Sequence, residues 1–197
     1  MGLRNTRHRY GTVAMAFHWL IAAGIVFMFF LGKYMLDLPS SDPDKFTLIQ
    51  FHKSTGLTIL MLSLARLGWR LVNPVPPLPG EMPAWERSAA RATHFLFYIL
   101  IIGIPLSGWA MVSASPLGLP TLWFGQFEWP HMSFLADLPR ADRTELRGPL
   151  HDTHEWLATG AVALLVLHVA AALKHHFWNR DNVLRRMVPG MRVTEGK

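Results

Sequence analysis

At 197 residues the chain is one domain by length, and 51% hydrophobic against 16% charged residues, with a mean hydropathy of +0.22, takes it out of the ordinary soluble class. The absence of cysteine excludes disulfides, iron–sulfur ligation and thioether-linked haem. A net charge of +6 and a pI near 10.2 do not by themselves point to nucleic acid, because in so apolar a chain the placement of Lys and Arg matters more than their sum.

In chain order, Arg4, Arg7 and Arg9 precede residues 13–31, which carry no charge. The basic start resembles a signal peptide, but the apolar run is too long and no small-residue cleavage site follows, so an uncleaved first span over 13–35 is expected. Pro39 and Pro43, with Asp37, Asp42 and Asp44, make a short connection. A second span follows over 48–72, charged only at Lys53 near one end and at Arg66 and Arg70 near the other, and closed by the prolines from Pro74 onwards. Residues 81–93 read as an amphipathic interfacial lead into a third span over 93–113, in which Pro105 predicts a local kink. The connection 113–149, rich in Pro, Gly and aromatics, is expected to be a folded cap rather than disorder. A fourth span over 150–176 completes an all-α, integral-membrane four-helix bundle in a single domain over 1–197. Placing the N-terminus in the cytoplasm puts 13 of the Lys and Arg residues on that side and 6 on the other, so both termini are predicted to be cytoplasmic.

The informative residues are histidines inside the spans, where polar groups are costly and count as functional candidates. His154 and His168 on the fourth span are fourteen residues apart. That is four helical turns less about 40°, and about 21 Å of rise, so both rings share one face near opposite membrane surfaces. By depth, His18 on the first span matches His168 on the inner half, and His52 on the second matches His154 on the outer half. Each pair joins two different helices, as bis-histidine ligation of two non-covalent b haems requires. His94, opening the third span, can replace His18, and His151 can compete with His154. His8, His131 and His176 read as surface residues, and His175 as interfacial.

Around these ligands, Gly56 lies one turn from His52, where a missing side chain lets a flat macrocycle approach. Arg66 or Arg70 is a candidate partner for the inner haem propionates, and Lys53, Arg147 and His151 are candidates for the outer ones. Arg140, Arg143 and Arg147, with Lys45 and Lys53, read as a basic outer rim that would attract a small anion.

MAFHWL around His18, FHKSTG around His52, THEWLATGAV around His154 and LHVAAALKHHFWNRDNVLRRMVP around His168 resemble the bacterial cytochrome b561 family. The resemblance runs from about Arg9 to Pro189 and implies a four-helix inner-membrane protein with two b haems, ligated by His18, His52, His154 and His168. It also implies superoxide oxidation at the outer face, with ubiquinone as acceptor. Relatives in the wider group are b-type anchor subunits that pass electrons from a periplasmic redox partner protein to quinone. A haem-free metal transporter would need acidic residues or histidine clusters within the spans, and the sequence has neither. The partners expected are the lipid membrane, quinone, and superoxide or a redox protein, with no nucleic acid.

Overall fold

Four helices long and apolar enough to cross a membrane carry the fold of the computed structural model, which describes residues 2–193. Lys197, counted in the charge balance, lies outside the described residues. The helices are α1 (Thr12–Asp37), α2 (Lys45–Val72), α3 (Ala84–Ser113) and, after a one-turn α4 (Ser133–Ala136), α5 (Arg140–Lys174). The first two spans match the sequence reading to within three residues. The other two start earlier. Residues 84–93 are the opening turns of α3 itself, and the last ten residues of the expected 113–149 cap belong to α5, with Pro149 inside the helix. Strong helix formers (Ala, Glu, Leu and Arg) precede that proline, and the carbonyl it frees, on Glu145, belongs to an exposed residue that water can serve.

An even number of crossings brings both termini to one end of the bundle. α1 packs on α2, α2 on α3, and α3 on α5. Ile21, Ile59 and Ile101, one from each of the first three helices, form the mid-bundle core, with Phe17, Met28 and Tyr98 packed around them. The outward face is as apolar as the core: Phe30, Leu71, Phe95, Val166 and Leu167 are all exposed. In water such a surface would aggregate, whereas in hydrocarbon it costs nothing.

The end opposite the termini is capped by a hairpin of β1 (Thr121–Trp123) and β2 (Phe127–Trp129), paired antiparallel with Leu122 opposite Glu128. This is the non-helical part of an otherwise all-α chain. Its turn needs positive φ at both central residues, and these are Phe124 (47°) and Gly125 (71°). Glycine takes that conformation freely; a phenylalanine there is strained and must be held. The holding comes from one face of α2, where Gln50, Ser54 and Thr58 recur every four residues. Gln50 donates to the Pro120 carbonyl (2.9 Å) and accepts from the Leu122 amide (3.0 Å). Ser54 Oγ accepts from the Phe124 amide (2.9 Å) and lies 3.0 Å from the Leu122 carbonyl, while Trp123 Nε1 donates to Thr58 Oγ1 (3.3 Å). The cap expected from its low polarity is therefore a docked hairpin.

At the other end a π-helical turn (His175–Asn179) follows α5. His175, expected at the interface, is buried: its Nδ1 lies 2.6 Å from Asp181, while Lys174 pairs with Glu86 at 2.6 Å and so ties the end of α5 to the start of α3. Trp19 Nε1 donates to the Met187 carbonyl (2.9 Å) and Arg9 to Val188 (3.2 Å), strapping the C-terminal segment across α1.

Replacing Ser54 by alanine would take the acceptor from the part-buried Phe124 amide, a loss of about 1 kcal/mol. Faster amide exchange across 121–129, with the mid-bundle segments of α1 to α3 unchanged, is expected. Unaltered exchange in the hairpin would refute the docking.

Candidate cofactor site: two tiers of histidine

The four spans gather their histidines at two levels. Toward the hairpin end, His52 of α2 and His154 of α5 have ring centroids 6.3 Å apart, with planes at 72°. Toward the termini, His18 of α1 and His168 of α5 are also 6.3 Å apart, at 66°. Fourteen residues of α5 separate the tiers, about 21 Å along its axis.

This spacing tests whether the residues fit a haem iron. A metal–imidazole bond is about 2.0–2.1 Å, and a ring centroid lies about 1.1 Å behind its nitrogen, so two imidazoles facing each other across one metal have centroids about 6.3 Å apart. Both tiers meet that separation, and neither pair is bridged by a hydrogen bond. Ring packing alone admits any separation from about 4.5 to 7 Å, so it does not account for the same value at both levels.

Between the hairpin-tier rings lies a cavity of about 250 Å³ reached by all four spans and by Thr121 of the hairpin. Its walls are almost wholly apolar, with Ile25, Ile59 and Ile101 among them, and His52, His154, Lys53 and His151 bring polar atoms. Gly56 lines it as expected, although a β-carbon there would meet only Met28, at an ordinary 3.6 Å. The close approach is elsewhere. A β-carbon on Gly108 would stand 3.1 Å from His154 Cε1, so α3 carries glycine where that ring rests. Gly32 of α1 faces His52 Cε1 at 3.5 Å.

His154 is also the ring with partners. Its Nδ1 lies 2.9 Å from Ser107 Oγ and 3.1 Å from the Ile104 carbonyl. By contrast, His52 Nδ1 is buried without a partner. Ser107, Gly108 and the Ile104 carbonyl were missed in the sequence; the signal available was the run Pro105–Leu106–Ser107–Gly108, a kink followed by two small residues in mid-span.

In the terminal tier, His168 is packed by Phe97 (5.2 Å) and by His94 (5.9 Å) as well as by His18. The structure thus brings both candidate partners of His168 to it. Arg70 stacks its guanidinium on Tyr98, 5.6 Å from the ring centroid, which gives it a partner within the protein. Arg66 is the arginine with a buried, unpartnered Nη1.

The expected outer rim is partly engaged in holding the connections. Lys45 donates to the Leu38 carbonyl (2.5 Å), Lys53 to Pro120 (3.4 Å) and Arg143 to Ser115 (3.3 Å). Arg147 is exposed one turn outside His151 and does not line the cavity. His131, in the cap, is held below its ordinary pKa by burial and then by the nearby Lys53 ammonium.

Compared with known proteins, residues 9–190 match the family model described as prokaryotic cytochrome b561. The chain is 39% identical over 189 residues to cytochrome b561 homolog 2 of Escherichia coli strain K12, covering 95% of each chain. It is 26% identical to the probable superoxide oxidase CybB of Yersinia pestis, covering 93% of this chain and 98% of that one. Cytochrome b561 homolog 1 of the same Escherichia coli strain is 23% identical, covering 92% and 98%.

Gly108→Val puts two methyl groups beyond a β-carbon that already meets the His154 ring. The purified variant is expected to lose haem, read by pyridine haemochrome quantification; an unchanged haem content would refute the assigned approach.

Proposed function

We propose that this chain, which belongs to the prokaryotic cytochrome b561 family, holds a haem b in each histidine tier and carries electrons from superoxide at the hairpin end to ubiquinone. Family membership implies haem b binding and a multi-pass membrane electron-transfer protein. The observation that carries the rest is the shared 6.3 Å separation of two imidazole pairs on different helices.

Bound haem supplies a reversible one-electron iron couple. The chain supplies the ligands: His52 and His154 in one tier, His18 and His168 in the other. His18 is preferred to His94 because its 6.3 Å spacing to His168 repeats that of the other pair, whereas His94 lies at 5.9 Å. The apolar cavity walls would keep water from a bound macrocycle, and Lys53 and His151 offer donor groups toward the hairpin end, where propionates would be received, with Arg147 exposed one turn farther out to attract an anionic donor. Two superoxide anions each lose one electron and leave as dioxygen, while one quinone takes two electrons and two protons. The name of the Yersinia relative supports superoxide as donor. The charge balance supports an inner-membrane location with the hairpin end periplasmic and both termini cytoplasmic.

The deciding experiment is a reduced-minus-oxidised spectrum of the purified protein with haem quantification, followed by addition of superoxide. Two haems per chain and reduction within the mixing time, with ubiquinol formed on adding quinone, are expected. One haem per chain would overturn the two-tier assignment. Two haems without reduction by superoxide would point instead to an anchor that receives electrons from a protein partner. The ligands are checked separately. His154→Ala and His168→Ala should each lose one haem, as should His18→Ala, whereas His94→Ala should retain both.

A further inference from the structure

We infer that Ser107 is a positioning residue for His154, adding a second, closer acceptor to the ring N–H whose tautomer the Ile104 carbonyl sets, and thereby lowering the reduction potential of the hairpin-tier haem alone; this rests on the ligand assignment proposed above. Three heavy atoms close a small network on α3. Ser107 Oγ lies 2.8 Å from the Ile104 carbonyl and 2.9 Å from His154 Nδ1, and Nδ1 lies 3.1 Å from the same carbonyl. A carbonyl oxygen only accepts, so the contact from Nδ1 to Ile104 requires the proton to sit on Nδ1. The serine hydroxyl then donates to Ile104 and turns a lone pair toward the imidazole N–H. If the hydroxyl instead donated to a bare Nδ1, the ring nitrogen and the carbonyl would be two acceptors facing each other at 3.1 Å. With the proton held on Nδ1, the Nε2 lone pair is left free for a metal.

None of the other three ring ligands has such support. His52 Nδ1 is buried and unpartnered, and neither His18 nor His168 makes a side-chain hydrogen bond among the described residues. A ligand whose N–H is hydrogen-bonded is a stronger electron donor, which favours the oxidised iron. The two sites therefore differ in a way that the equal ring spacing does not reveal. The device is local to the stretch of α3 around its internal proline: Pro105 has no N–H to give to Ile101, and Gly108 leaves space for the ring to reach the backbone.

The test is a spectroelectrochemical titration of the full-length protein in detergent, comparing wild type with Ser107→Ala and Ser107→Thr. In the alanine variant the hairpin-tier midpoint is expected to rise while the other stays put. The equilibrium constant for electron exchange between the haems should change three- to tenfold, about 30–60 mV for one electron. The threonine variant, which keeps the hydroxyl, should restore the wild-type separation, and the low-spin electron paramagnetic resonance signal of the same haem should move only in the alanine variant. If alanine costs the protein that haem, retention of two haems at wild-type potentials by the threonine variant still supports the assignment. Unchanged potentials in a two-haem alanine variant would overturn it, as would an equal shift in both variants. A wild-type preparation lacking two haems would count against the proposed function instead.

Discussion

An imidazole inside hydrocarbon must find either a hydrogen-bond partner or a metal, and most of this molecule follows from how four imidazoles are disposed to meet that demand. They are paired across helices at equal separation. A single helix cannot make such a pair, since rings one turn apart on the same face point the same way. Bringing α2 and α1 to opposite levels of α5 requires an up-and-down bundle, short connections, and a fourth span long enough to serve both levels. The 35-residue α5 satisfies the last condition with turns to spare.

The same demand shapes the packing. Contact runs from α1 to α2, α3 and α5 in turn, so the helices that carry the paired histidines are joined through α3, which carries none of the four rings that form the equal pairs. α3 accordingly contains the features that receive a neighbour: glycine under His154, serine and the Ile104 carbonyl at its Nδ1, and Phe97 against His168. The isoleucine core lies between the tiers, with Ile59 and Ile101 also forming part of the wall of the hairpin-tier cavity. Polar residues that do not serve the histidines serve the cap. Gln50, Ser54 and Thr58 give α2 a hydrogen-bonding edge inside an apolar bundle, and the hairpin satisfies it.

Much of this was legible in the sequence, because membrane spans are read from composition and histidine depth is read from position within a span. The four spans and both cross-helix pairs emerge that way. What stayed hidden depends on contacts between segments remote in sequence. Nothing local to Phe124 marks it as a residue forced to positive φ, since its acceptor is seventy positions away on α2. Arg66 and Arg70 are equivalent in sequence, one turn apart; only the position of Tyr98 on α3 separates them. The polar start of α5 lacks the apolar run by which a span is recognised, so its helix was expected to begin at 150. The prolines at 139 and 149 then read as loop, although one is the N-cap and the other is carried inside the helix.

The two tiers are alike in geometry and unlike in electrostatics. At the hairpin end the His154 N–H is backed by a carbonyl and a hydroxyl, which would favour the more positive, oxidised state of an iron held there. At the terminal end Arg66, with one nitrogen buried and unpartnered, lies within electrostatic reach of His18, His94 and His168. A guanidinium in a low-dielectric setting favours the less positive, reduced iron. With a haem in each tier, as proposed, both influences would grade the bundle in the same sense, and an electron received beneath the hairpin would run downhill toward the termini. That is the direction the proposed chemistry needs, and it would be built from one proline-interrupted helix and one partly buried arginine rather than from any difference in the imidazoles themselves.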